Sequence, residues 1–248
     1  LLVYLVQIFI NFGVITTLTM FYLLLGISLS LTQPYATIQN IPFKKNLKYP
    51  LVTLLLFLVC IGGYATFREA RAEYYYKQAI IANAKGDMRN VIVNFQKAIS
   101  DKPNEYAYHQ AYADVLLKNI LASAAKPEAK EHFLKLAVIN YDQAIKINPN
   151  HPNLFYNLGL AKLELFKLQK HDIFYSNAAD HFTKTVELAI NNPLYPYQIA
   201  KAYLQIDDPP SQKHAIIYLQ KALSIRPGFR DAERILEQLG VASTTSKQ

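Results

Sequence analysis

AEYYYKQAIIANAKGDMRNVIVNFQKAISDKP, residues 72–103, decides the fold. It reads as two helices joined by the tight turn Gly86-Asp87. Ala79 sits in the middle of the first helix, where a small side chain lets a paired helix approach to the low end of the usual 8–10 Å. Gly86 suits a turn because it accepts a left-handed backbone. Phe95 and Ala98 give the second helix one large and one small position on a shared face, three residues apart. Pro103 cannot continue a helix and pre-sets the start of the next.

The same grammar recurs downstream. In residues 104–149 the first helix is YAYHQAYADVLLKN with Ala113 at the small position, and the second ends AVINYDQAIKINP with Ala137, Tyr141, Ala144 and Pro149 in phase. An insertion, ILASAAKPEAKEHFLKL, separates them, and Lys126-Pro127-Glu128 reads as a helix restart that makes the second helix unusually long. Residues 150–192 place Gly159 at the small position and replace the Gly turn by QKHDIF. Residues 193–227 carry Ala200, Ala215, Ala222 and Pro227, with the turn extended to DDPPS. Residues 228–240, GFRDAERILEQLG, read as a capping helix whose polar side faces solvent. The tail, residues 241–248, is expected to be disordered.

A period near 34 residues with these small, aromatic and proline positions resembles the tetratricopeptide repeat (TPR). The resemblance covers about two thirds of the chain. It implies an all-α fold: antiparallel helix pairs stacked as an α-solenoid of about four pairs plus a cap, with a concave face that receives a protein or peptide partner.

Residues 1–71 differ in kind. Residues 1–67 hold three Lys and no acid, and all 18 Asp and Glu lie beyond them. Residues 8–31 are uncharged and long enough for a membrane span, which needs about 20 residues. A polar connector with Lys44, Lys45 and Lys48 follows. Residues 50–67 then form a second apolar run, at the short end of the spanning range. The expectation is two transmembrane helices ahead of the solenoid and an integral protein of a bacterial cytoplasmic membrane. The connector lysines place the connector inside and the repeats outside the cytoplasm. Neither run has the form of a secretory signal.

The membrane stretch YLVQIFINFGV…TLTMFYLLLG resembles the carboxyl end of the O-antigen ligase and polymerase family. That resemblance implies that the chain, which opens on Leu1, is the end of a cell-envelope polysaccharide enzyme. Its repeats would engage a protein or a glycan acceptor, and its further partners would be the lipid bilayer and a lipid-linked glycan. The family's catalytic Arg and His lie upstream of these spans, and no residue here matches them. The alternative is a non-enzymatic, membrane-anchored TPR scaffold of an envelope complex.

No catalytic residue, metal site or cofactor motif is expected in this segment. The six His are not paired at ligand spacing on one helix, and Cys60 stands alone in an apolar run, where it reads as a small buried hydrophobe. The net charge of +8 is spread among acids along the helices, with no basic run of five, so nucleic acid is not expected as a partner. The 18 Tyr stand out. Tyr75, Tyr108, Tyr112, Tyr156 and Tyr197 fall on the first helices of successive units. Packing between repeats is one role for them. A binding platform on the concave face is the other, since Tyr joins an apolar body to a polar tip.

Overall fold

The computed structural model describes residues 22, 26, 45–122 and 126–241. From Lys45 these fold as a run of helices: α1 Lys45–Ala84, α2 Met88–Asp101, α3 Tyr106–Ala122, α4 Pro127–Ile147, α5 Pro152–Gln169, α6 Asp172–Leu188, α7 Leu194–Tyr203, α8 Pro209–Ile225 and α9 Arg230–Gln238. They pack as the pairs α1/α2, α3/α4, α5/α6 and α7/α8, with α9 on α8. Each pair touches the next through its second helix, and among the first helices α3 meets α5 and α5 meets α7. This is a TPR-type solenoid.

Local chemistry explains the breaks. Gly86 takes a φ of 74°, and Asp87 then caps α2 by accepting the Asn90 N–H at 3.1 Å. Asp208 caps α8 in the same way, accepting from the Ser211 N–H at 2.7 Å. Pro127, Pro152 and Pro209 each stand in the first turn of a helix. Where QKHDIF lacks a Gly, Lys170 itself adopts the left-handed conformation at φ 54° and ends α5.

The small positions do what close packing requires. Ala79, Ala113 and Ala200 are fully buried, and Gly159 lies so close to Phe182 that a Cβ there would stand 2.5 Å from a ring carbon. Two main clusters make the core. One runs from Ala79 through Phe95, Tyr112, Leu116 and Tyr141 to Leu158 and Leu165. The other runs from Leu163 and Phe182 through Tyr203 and Leu219 to Leu236 on α9.

The membrane expectation is corrected here. Among the described residues, no helix is long and apolar enough to cross a membrane. Residues 50–67, expected as the second transmembrane helix, are instead part of α1, which begins at Lys45 and runs unbroken to Ala84 in the first repeat. Gly62, Gly63, Tyr64 and Thr66 dilute the apolar run, and Arg68, Glu69 and Arg71 follow at once in the same helix. The helix then turns to packing: the Arg68 guanidinium donates to the Asp101 carbonyl at 2.8 Å, and Arg71 pairs with the Asp101 carboxylate. The expected span 8–31 lies outside the described residues, apart from the helical Tyr22 and Gly26, and so does the tail from residue 242. The two-span half of the expected fold and the integral-membrane location are therefore not supported. Cys60 is exposed rather than buried.

Candidate functional site

A cleft of about 510 Å³ opens between α3 and α5. Asp114, Leu117, Lys118, Leu121 and Ala122 line it from α3, Tyr141 from α4 and Asn157 from α5. The α3 residues recur every three or four positions, so they share one face of that helix. Asp114 and Lys118 lie one turn apart, and the apolar Leu117 and Leu121 run beside them.

Asp114 is the fixed point. Its Oδ1 accepts the Tyr141 hydroxyl at 2.6 Å and the Asn157 amide at 2.8 Å. Both donors come from neighbouring helices and fasten the carboxylate across the α3–α5 seam. Burial, with the Asp114 charge beside it, pushes the Tyr141 phenol far above its ordinary value, so that hydroxyl stays a donor. Lys118, exposed on the next turn, forms no ion pair among the described residues. Leu121 is 52% exposed, a large apolar side chain at the mouth of the cleft. The arrangement offers an acceptor, a cation and an apolar shelf along one line, and it offers no nucleophile paired with a base.

The five expected tyrosines do not line this cleft. Tyr108 and Tyr112 are buried. Tyr108 donates to Glu73 at 2.9 Å, and Tyr112 stacks on Phe95 with ring centres 5.1 Å apart. Burial pushes the Tyr112 phenol up to about 12. Tyr156 is half-buried between Phe182 and Tyr195, and burial likewise raises its phenol to about 12. Tyr75 and Tyr197 are also half-buried, each with a lysine ammonium over its ring, Lys97 at 5.0 Å and Lys201 at 5.6 Å. The five are strung along the stack and form no single cluster.

A second polar group joins α4, α5 and α6. The Lys162 ammonium lies 2.8 Å from His181 Nε2. Burial, then the Lys162 charge, pushes His181 down to about 4, so it is the neutral acceptor of that contact at ordinary pH. Burial raises Asp142 nearby and lowers Lys162 itself. Among the described residues, no three His, Cys, Asp or Glu gather as a metal site.

The cleft was missed at the level of sequence because its residues are 43 positions apart. A signal existed in the register. Asp114 directly follows the small residue Ala113, and Asn157 stands two before the small residue Gly159, so in the register of the small positions the two lie three places, about one helical turn, apart on the first helices of adjacent units.

Residues 134–165, from α4 into α5, match the family described as TPR repeat. Among solved structures, the chain is similar to MamA, at 17% identity over 66% of this chain and 85% of that one, with a TM-score of 0.47. It is similar to a thermophilic TPR protein of Thermus thermophilus, at 16% identity over 75% and 93%, with a TM-score of 0.49. It is also similar to YrrB, a TPR protein with an unusual peptide-binding site, at 14% identity over 66% and 90%, with a TM-score of 0.32. The repeat assignment rests on the matched residues and the helix-pair geometry. No curated protein matches the chain.

None of these matches touches the O-antigen ligase and polymerase family. That resemblance stood on about thirty mostly apolar residues, and apolar stretches resemble one another by composition alone. The expected polysaccharide function, with its bilayer and glycan partners, is therefore without support.

Proposed function

We propose that the repeat array is a scaffold that receives an extended peptide segment of a protein partner in the α3–α5 cleft. The observation that carries this reading is the joining of a fixed acceptor, an exposed cation and an exposed leucine along one helix face. Extended peptides bring backbone N–H groups and alternating side chains, and a groove with polar and apolar stations suits both. The helices position the stations before binding, so little ordering is lost on association.

Leu121→Glu tests it. The side chain is more than half exposed, so the fold survives the change. A random peptide library selected on the intact chain should enrich binders that the Leu121→Glu chain no longer holds. Ile217→Glu, on α8 far from the cleft, should leave them bound. Binders indifferent to Leu121→Glu would place the binding face elsewhere.

A further inference from the structure

Resting on that reading, we infer that the cleft selects a peptide carrying one basic side chain, which Asp114 receives, with an apolar residue two or three positions away on Leu121. Both intramolecular donors to Asp114 meet the same oxygen, Oδ1. Among the described residues Oδ2 has no partner, although the carboxylate lines an open cleft. No Lys or Arg of the described chain lies within ion-pair distance of it. Lys118 follows at the favourable four-residue spacing on α3 and still forms no pair. Tyr141 and Asn157 hold the carboxylate toward α4 and α5 instead.

A carboxylate that lines a cleft, held at one oxygen by two neutral donors and with no Lys or Arg of the described residues at ion-pair distance, is complementary to an ammonium or guanidinium from outside. Lys118 sharpens the choice. It stands one turn further along the same wall and repels a second basic residue there, so the preference is for one cation and not for a basic run. The distance sets the rest. From Asp114 to Leu121 is seven residues of helix, about 10 Å at the helical rise. About three residues of extended chain cover that span. Leu121 and Leu117 then meet the apolar side chain.

The test uses the full chain and a random heptapeptide library. Peptides enriched on the unaltered protein should share a Lys or Arg with an aliphatic or aromatic residue two or three positions from it. Resynthesised with Gln in place of the basic residue, they should bind at least tenfold more weakly. Asp114→Asn keeps an oxygen for Tyr141 and Asn157 and removes the charge. On that variant the Lys and Gln peptides should bind equally, and binding of the Lys peptide should lose its steep salt dependence. A melting temperature matching that of the unaltered chain shows that Asp114→Asn is folded.

Enriched peptides without a basic residue, or a basic preference that persists on Asp114→Asn, would overturn the assignment and leave the peptide-binding cleft standing. Binders that survive Leu121→Glu, or no enrichment at all, would overturn both.

Discussion

Gly159 and Phe182 show how a single position sets a helix pair. Alanine at 159 would gain about 1 kcal/mol of helix propensity. Its Cβ would also stand 2.5 Å from a ring carbon of Phe182, a side chain fully buried against Tyr203 and Tyr156 that has nowhere to move. Overpacking of this kind costs about 1–3 kcal/mol. Gly159→Ala should therefore lower the melting temperature, and a rise would mean that the α5/α6 seam is looser than described. The buried tyrosines separate in the same way. Among the described residues the buried Tyr112 and Tyr203 hydroxyls have no partner, so Tyr112→Phe and Tyr203→Phe should leave stability unchanged or raise it. Tyr141→Phe should cost about 1–2 kcal/mol, because it strips one of two donors from Asp114. Urea midpoints for the three variants decide between these signs. His181 adds a pH dependence. Its folded pKa is about 4 against an ordinary 6.5, so between those values the unfolded chain takes up a proton that the folded chain refuses. This contribution is complete above about pH 6.5 and is lost as the pH falls toward 4. His181→Gln should flatten the fall in urea midpoint across that window. An equal fall in both chains would show that His181 is accessible to protons in the folded state.

At the scale of elements, the breaks were the most legible part of the chain. Pro127 reads as a helix restart and opens α4, and Gly86 reads as a turn and takes the left-handed conformation. Such signals are local: a missing N–H or a missing Cβ acts within its own turn. The α5/α6 turn was less legible, because its left-handed position is filled by a lysine. A non-glycine residue there costs about 1 kcal/mol or more, part of which the Lys170 ammonium regains over the Phe166 ring at 5.5 Å. Lys170→Gly should raise stability by up to about 0.5–1 kcal/mol, read as a rise of a few degrees in melting temperature. A fall would mean that the cation–ring contact outweighs the backbone strain. The apolar run in α1 was misread for a different reason. Hydropathy reports what a segment contains, not where a helix ends, and this one continues through Arg68 and Arg71 to pack on α2.

The whole molecule is a row of neighbours, and its interior is divided accordingly. The first main cluster joins α1 to α5 and the second joins α5 to α9. Among the described residues, α5 alone supplies buried side chains to both: Leu154, Leu158, Ala161 and Leu165 to one, Leu163 to the other. The repeat count and the small positions were legible because each unit obeys the same local rule. The cleft was not, because Asp114 and Asn157 acquire a shared role only when two units stack. A stack whose units touch only their neighbours spreads a local loss through the seams and not through one common core. Phe95 and Phe182 are both fully buried, one in each cluster. Either truncation to Ala removes about 3–5 kcal/mol locally. With Phe95→Ala, amide protons in α2–α4 should exchange far faster, while those in α7–α9 keep most of their protection. With Phe182→Ala the pattern should reverse, and α5 should lose protection in both. Uniform loss along the chain in either variant would show that α5 couples the two halves rigidly and that they unfold as one. Confined loss would mean that one end of the stack can open while the Asp114 cleft, which depends only on α3, α4 and α5, stays assembled as long as the damage lies in α7–α9.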